Sequence, residues 1–145
     1  MQTDKALPTH ADLTNFLDNQ VLCTISSIGE GGYPNAASVA FSSNDDLEFV
    51  VGTSTLSRKA ANFARDSKVA LTVTDAEKRW TVQLEGDVRP IDWDEFETKY
   101  SDKHYKKLPF SLPFKDLPDQ TNYLIVPVHL KLTEADIIPW RATEF

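Results

Sequence analysis

The stretch GTSTLSRKAANFARD, residues 52–66, joins a predicted strand to a predicted helix and decides how the rest of the chain is interpreted. Ser57 stands at the position of a helix N-cap, and Arg58 and Lys59 follow it directly. The amino end of a helix carries partial positive charge, so acidic residues are favoured there and basic residues are not. A bound anion would reverse this preference, because the free backbone N–H groups at a helix start already favour negative charge.

Hydroxyl groups strengthen the case for an anion at this point. Four of them fall within five residues, and they belong to Thr53, Ser54, Thr55 and Ser57. Arg58 has the planar fork that pairs with a phosphate, and Lys59 adds a point charge. The alternative is a solvated turn in which the two cations reach back to a nearby carboxylate, that of Asp45, Asp46 or Asp66. The pattern by itself leaves phosphate binding and the solvated turn equally open.

The composition predicts one globular domain over residues 1–145. Hydrophobic residues make up 41% of the chain and charged residues 26%, an ordinary balance for a protein with a buried core. The formal net charge of −7 argues against nucleic acid and anionic membrane surfaces as partners. Charged residues near the start exclude the apolar region of a signal peptide, and no apolar stretch is long enough to span a bilayer. We therefore expect a cytoplasmic protein.

The single cysteine, Cys23, lies inside an apolar run and is interpreted as a small buried hydrophobic residue. With one cysteine, no disulfide forms within the chain. No histidine cluster lies near it in the sequence, so neither a metal site nor a thiol nucleophile is predicted.

Periodicity divides the chain into alternating strands and helices. Strands are predicted at residues 21–28, 35–41, 47–53, 68–75, 80–91 and 122–132. Helices are predicted at residues 9–18, from Ser57 to about 66, and at 92–108. Residues 109–118 contain three of the eight prolines and are predicted to be irregular, and residues 137–145 form a tail. Hairpin-linked strands favour an antiparallel sheet, and about six of them with one apolar face can close into a small barrel.

The opening stretch resembles the phosphate-binding segment of the pyridoxamine 5′-phosphate oxidase-like family, the FMN-binding split barrels. In that family a strand ends in Thr, three residues intervene, and Ser-Arg-Lys opens a helix. Here the corresponding residues are Gly52 and Thr53, then Ser57, Arg58 and Lys59. The similarity runs roughly from residue 19 to 127 and includes the small residues that follow Gly-x-Pro at 32–34, SKVALTV at 67–73 and VQLEGDV at 82–88.

This resemblance implies a mainly β fold, a six-stranded antiparallel split barrel with flanking helices. It also implies FMN as the cofactor, with Thr53, Ser57, Arg58 and Lys59 at its phosphate and Gly52 beside them. The strand from Ala37 to Phe41, including Ser38 and Val39, would run beside the isoalloxazine, since small side chains allow the close backbone approach that the polar edge of the ring needs. The alternative for this strand is tight packing against a neighbouring helix.

The family is typically a homodimer with two flavin sites at the interface. Thr81 or Gln83, which share one strand face, would then reach the flavin. Spacing from Gly86 favours Thr81, and residue type favours Gln83. Trp140 in the tail is a further candidate for the partner's half of the site, and its alternative role is to cap the core.

The leading prediction is an FMN-dependent oxidoreductase that acts on an unidentified small molecule. True pyridoxamine 5′-phosphate oxidase activity is not expected, because no arginine lies between Arg89 and Arg141, where the family's second phosphate grip would need one. The basic residues Lys103, His104, Lys106 and Lys107 are interpreted as a helix end that matches its dipole. His104 and Tyr105 also have positions compatible with a substrate pocket. Alternatives are a relative that binds F420 or haem, and a non-enzymatic flavin-binding stress or sensor module. No catalytic side chain is predicted, because the flavin carries such chemistry.

Overall fold

The computed structural model describes residues 4–145, and over this range the chain forms seven strands, four α-helices and one 3-10 helix. In chain order these are α1 His10–Asp18, β1 Leu22–Ile28, β2 Pro34–Ser43, β3 Phe49–Ser54, α2 Arg58–Arg65, β4 Lys68–Asp75, β5 Trp80–Ile91, α3 Trp93–Lys99, α4 Ser101–Lys107, the 3-10 helix Pro109–Asp116, β6 Gln120–Glu134 and β7 Arg141–Glu144.

Six of the strands close into a barrel. They follow the order β3-β2-β1-β4-β5-β6, and β6 pairs back onto β3. Every pairing is antiparallel. The six-stranded antiparallel barrel with flanking helices that the sequence predicted is confirmed. β7 is an additional strand on the far edge of β6.

Strict alternation in the strands fills the barrel interior. In β5, the side chains of Trp80, Val82 and Leu84 are buried, while the residues between them point outward. Helix α1 adds the buried face predicted from its 3.6-residue period, namely Leu13, Phe16 and Leu17. Each fully buried side chain of this size contributes roughly 1.5–3 kcal/mol. Cys23 is 2% exposed inside this core, as the sequence predicted, and burial raises the pKa of its thiol to about 12.

The helix predicted over residues 92–108 is wrong in one respect, since the chain breaks it at Tyr100. The backbone of Tyr100 leaves helical geometry, with φ −127° and ψ −22°, and α4 begins at the next residue. Trp93, Tyr100 and Tyr105 all pack against one apolar cluster on the outside of β3 and β6, formed by Val50, Ile91, Phe96 and Leu124. The break at Tyr100 therefore accompanies the packing of aromatic side chains from both helices on the barrel.

Two further segments differ from the sequence prediction. Residues 109–116 are a 3-10 helix, because a short helix tolerates Pro109 in its first turn and the missing N–H of Pro113. The predicted tail contains β7, whose pairing with β6 is held by a buried ion pair. Glu134 is fully buried, and it accepts from Nε of Arg141 at 2.7 Å and pairs with Nζ of Lys5 at 3.0 Å. Four residues are too short a pattern to predict this strand from periodicity.

Candidate cofactor site at the open edge of strand β2

The barrel opens between β2 and β3. Residues 34–40 of β2 pair with β1 alone, and β2 meets β3 only from Phe41 to Ser43. Beyond Val51, the strand β3 pairs only with β6. The two strands therefore diverge, and the first seven residues of β2 present one edge without a partner strand.

The main-chain groups at this open edge can be assigned from the pairing. Phe41 donates its backbone N–H to the carbonyl oxygen of Val21, at 3.1 Å, on the β1 side. Successive residues of a strand direct their N–H and C=O groups to opposite sides. The main-chain groups of Ala36, Ser38 and Ala40 therefore point away from β1 and toward the open edge.

Helix α2 begins beside this edge. The Ser57 hydroxyl accepts from the N–H of Ala60 at 3.2 Å, which confirms Ser57 as the N-cap. Thr53 donates to the same hydroxyl at 3.3 Å, so these two predicted site residues lie together. The first turn contains no acidic residue, which leaves the positive end of the helix dipole uncompensated by the chain itself.

Arg58 and Lys59 form no ion pair or hydrogen bond with any residue in the range 4–145. The interpretation in which they reach back to Asp45, Asp46 or Asp66 is therefore wrong. Asp66 instead accepts from the backbone N–H of Lys68 at 3.0 Å. The two cations line a cavity of about 160 Å³ at the start of the open edge, together with Asn35, Ala36, Ala37 and Asn62.

Asn62 holds α2 against the barrel, a role that no local sequence pattern predicts. The side chain is 1% exposed and donates from Nδ2 to Ser27 Oγ and to Asn35 Oδ1, both at 2.9 Å. Arg65 completes the arrangement by donating to Asn62 Oδ1. Only the tertiary structure reveals this role, because its partners lie 27 and 35 residues away in the sequence.

A second cavity, of about 330 Å³, lies at the other end of the open edge. It begins at Val39, Ala40, Gly52 and Thr53 and extends to α4 and the 3-10 helix. His104 lines it and is 4% exposed, with Nδ1 at 2.7 Å from Ser42 Oγ. Burial, assisted by the nearby charge of Lys107, lowers the pKa of His104 to about 4, so the imidazole is neutral at pH 7. The predicted basic patch on this helix therefore does not include His104.

Gly52 and Asn122 meet in the wall of this second cavity. A Cβ on Gly52 would lie 2.7 Å from Gln120 Nε2 and 3.2 Å from Asn122 Oδ1, so any larger residue would displace these amides. Asn122 is 4% exposed, and its Nδ2 has no hydrogen-bond partner among the described residues. Buried polar groups are nearly always paired, so this buried donor is an exception among the described residues.

Thr81 and Gln83 do not reach either cavity within one chain. Both lie on the outer barrel face, where Thr81 hydrogen-bonds Thr74 at 3.2 Å and Gln83 is exposed. Ser38 of β2 and Gln83 of β5 lie in the same row across the sheet, with β1 and β4 between them. Three strand spacings, or about 14 Å, therefore separate the two residues. Trp140 lies between β6 and β7 and is 67% exposed, so the interpretation that it caps the core is wrong.

The described part of the chain contains no cluster of three or more His, Cys, Asp or Glu side chains suited to a metal ion. Over the same residues, no helix combines the length and apolar character that crossing a membrane requires.

A closed six-stranded antiparallel barrel whose strands β2 and β3 diverge defines the split-barrel fold class. The sequence profile of the pyridoxamine 5′-phosphate oxidase family matches residues 9–131, and the chain belongs to that family. No curated protein sequence matches this chain.

Solved structures share the fold at low sequence identity. The haem-binding protein from Mycobacterium smegmatis superposes with a TM-score of 0.78 at 15% identity, covering 97% of this chain and 60% of that protein. A Clostridium acetobutylicum protein related to general stress protein 26 gives a TM-score of 0.71 at 17% identity, covering 94% of each chain. The haem storage protein from Vibrio cholerae gives 0.71 at 14% identity, covering 86% of this chain and 94% of that chain.

Proposed function

We propose that this protein binds FMN along the open edge of β2 and acts as an FMN-dependent oxidoreductase. The observation that supports it best is the pair of cations, Arg58 and Lys59, which have no partner among residues 4–145 and lie at a helix start without an acidic residue. The cavity between them and the start of β2 suits a phosphate, because backbone N–H groups and the cations favour the same charge.

The isoalloxazine would follow the open edge from Ala37 toward Val39. Ala36, Ser38 and Ala40 offer backbone N–H and C=O groups at this edge. These groups suit the mixed donors and acceptors on the polar edge of the ring. The side chains of Ala36, Ser38 and Ala40 are small, so a flat molecule can approach the backbone closely. Bound FMN supplies hydride or electron transfer, and the chain supplies orientation and hydrogen bonds.

A second copy of the chain would complete the site. The strand edge is shallow, and ligand sites usually bury most of a molecule of this size. The outer face of β1, β2 and β4 carries small uncharged side chains, from Thr24, Ser26, Ala36, Ser38, Ala70 and Thr72. A two-fold axis through this face would bring Gln83 or Thr81 of one copy toward the β2 edge of the other, since an isologous interface presents the same patch twice.

The ligand is tested first by the absorption spectrum of purified protein after desalting. A flavin spectrum, together with saturable FMN binding in a fluorescence titration, supports the proposal. A deazaflavin spectrum would instead support F420, and a Soret band would support haem, in line with the haem-binding names of two structural neighbours. Absence of binding to FMN by the folded protein would overturn the proposal.

Oxidoreductase activity is tested separately from binding. FMN-loaded protein is mixed with NADH or NADPH in the absence of oxygen, and bleaching of the flavin absorbance is followed. Bleaching that is faster than that of free FMN supports an enzyme. Bleaching no faster than that of free FMN with either reductant would favour the flavin-binding stress or sensor module, which requires no turnover.

A further inference from the structure

Asn62 shares one face of α2 with the two cations at the start of that helix. Arg58 precedes it by four residues and Lys59 by three, and side chains at these spacings are neighbours on a helix surface. All three line the cavity of about 160 Å³ beside the start of β2. The cations begin this face of the helix, and one turn later it carries an amide that is 1% exposed.

The hydrogen bonds of Asn62 connect α2 to both strands of the β1–β2 hairpin. Its Nδ2 donates to Ser27 Oγ of β1 and to Asn35 Oδ1 of β2, each at 2.9 Å. These two acceptors belong to residues that lie opposite each other in the hairpin. Arg65, three residues further along α2, donates to Asn62 Oδ1. Because a guanidinium group only donates, this contact identifies the amide oxygen and fixes the orientation of the amide.

The turn of the hairpin packs against Asn35. A Cβ on Gly29 would lie 2.7 Å from Asn35 Oδ1 and 2.8 Å from the carbonyl oxygen of Tyr33, so the turn leaves this amide no space to move. Ala36, which follows directly, is one of the residues whose main-chain groups point toward the open edge. The position of α2 relative to that edge therefore depends on the contact between Asn62 and Asn35.

The protein already uses the polar atoms of the Asn62 side chain, so they are not free for a phosphate. An amide nitrogen carries two hydrogens, and both have protein acceptors at 2.9 Å. The amide oxygen accepts from Arg65, and an acceptor does not bind the oxygens of a phosphate dianion. Asn62 therefore lies in the cavity wall without being a ligand, and what it contributes is the placement of the two cations.

We infer that Asn62 is a positioning residue for the phosphate site. Its bonds to Ser27 and Asn35 hold the start of α2 at the β2 edge before the cofactor binds, so both cations are already in place. Groups that are held in position lose less conformational freedom on binding, and the ligand binds more tightly as a result. The inference rests on the proposed function, since the placement of the cations matters only if FMN binds there.

The test is a double-mutant cycle between Asn62 and Arg58, measured as the Kd for FMN in a fluorescence titration. Asn62→Ala should raise this Kd roughly tenfold, although it removes no group that contacts the phosphate. Arg58→Ala should raise the Kd roughly tenfold in the wild type but by about threefold or less in the Asn62→Ala background, because a cation that is no longer held in place contributes less.

A merely structural role of Asn62 would lower stability and leave the factor for Arg58→Ala unchanged. An equal factor in the two backgrounds would therefore overturn the inference. A wild-type Kd for FMN in folded Asn62→Ala would overturn it as well.

The variant Ser27→Ala separates positioning from direct contact. Ser27 is 3% exposed and is not among the described residues that line the cavity, so it acts on a bound phosphate only through Asn62. We expect Ser27→Ala to raise the Kd for FMN roughly threefold, and to have no further effect when Asn62 is already alanine. A raised Kd in Asn62→Ala with an unchanged Kd in Ser27→Ala would make Asn62 a direct ligand and overturn the positioning role. If Asn62→Ala does not fold, the cycle between Ser27 and Arg58 is judged by the same criterion.

The matched control is Asn44→Ala, which removes a comparable amide from the turn at the opposite end of β2. The Asn44 side chain donates to Glu48 Oε1 at 2.9 Å and accepts from the backbone N–H groups of Asp46 and Glu48, each at 3.0 Å. We expect this variant to lose stability without a change in the Kd for FMN. A Kd raised as much as in Asn62→Ala would show that any loss of stability weakens binding, and the inference would be wrong.

Failure of this inference is distinguishable from failure of the proposed function. If the wild-type protein binds FMN and the substitutions at Asn62 and Arg58 act independently, only the positioning role is wrong and the cofactor site stands. If the folded wild-type protein binds no FMN, the proposed function is wrong, and Asn62 has no phosphate site to position.

Discussion

The imidazole Nδ1 of His104 lies 2.7 Å from the hydroxyl oxygen of Ser42, and both side chains are at least 96% buried. This pair joins α4 to β2 beneath the second cavity. Burial is the larger reason for the lowered pKa of His104, and the positive charge of Lys107 lowers this pKa further.

We expect His104 to make the protein less stable as the pH falls from 6.5 toward 4. The unfolded chain binds a proton at His104 near pH 6.5, whereas the folded chain does so only near pH 4. Between these values the unfolded state holds more protons, so the free energy of unfolding decreases with acidification, by about 2 kcal/mol between pH 7 and pH 5. Urea unfolding at the two pH values measures this change.

The matched variant for this measurement is His104→Gln, which retains a hydrogen-bonding group but does not titrate. Carboxylates titrate in both proteins, so their contributions cancel when the stability change of the variant is subtracted from that of the wild type. A variant that loses as much stability as the wild type between pH 7 and pH 5 would show that His104 is protonated in the folded protein.

The cations at the start of α2 are expected to contribute most of the affinity for the FMN phosphate. A hydrogen bond to a charged group contributes about 1.5–3 kcal/mol. Arg58→Ala and Lys59→Ala should therefore each raise the Kd for FMN roughly 10-fold or more, and the double variant should raise it further. Lys106→Ala removes the same charge from exposed helix surface elsewhere and should leave the Kd unchanged. The measurement is a fluorescence titration of the double variant with FMN. An affinity for FMN equal to that of the wild type would rule out this phosphate site.

Arg141 is expected to stabilise the tail far more than its exposure suggests. Its partner Glu134 is fully buried, and removal of one member of a buried pair typically costs about 3–5 kcal/mol because a charge is left uncompensated. Arg141→Met should therefore lower the free energy of unfolding by roughly that amount, less any compensation from Lys5. Arg89→Met breaks the more exposed pair with Glu95 and should cost less than about 1 kcal/mol. Equal losses in chemical denaturation would contradict the special role of Glu134.

We expect the FMN-loaded protein to be a homodimer. Each chain has a mass of 16.3 kDa, so light scattering at micromolar concentration should give about twice that value. Removal of FMN should weaken the dimer, because a ligand that binds only the assembled form stabilises it by mass action. Full FMN occupancy in a protein of monomer mass would overturn the shared site.

Oxidation of pyridoxamine 5′-phosphate is expected to be negligible, although the chain belongs to the family named after that reaction. No arginine lies between Arg89 and Arg141, and the described residues that line the second cavity include no buried cation to receive the substrate phosphate. Hydrogen peroxide formation by FMN-loaded protein is the measurement. Sustained production above that of free FMN would show that the cavity accepts an anion.

Local patterns in the sequence are sufficient to predict most of the strands and helices of the fold. The predicted bounds 68–75 and 80–91 are those of β4 and β5. In both strands, alternation of apolar and polar residues places the apolar side chains on the one sheet face that is buried. Ser57 was identified as a cap because that role depends on residues three positions apart. The unusual placement of Arg58 and Lys59 is visible for the same reason, since it concerns one helix turn.

Tertiary contacts decided what no short window of sequence contains. The helix break at Tyr100 accompanies the packing of aromatic side chains on β3 and β6, and the pairing of Arg141 with Glu134 placed β7. The divergence of β2 from β3 created the open edge, and the folding of α4 brought His104 to Ser42 across 62 residues. Sequence by itself determined the strands, the cap and the cation pair because their causes are local. The edge, the cavities and the neutral histidine depend on burial among distant residues, which only the closed barrel establishes.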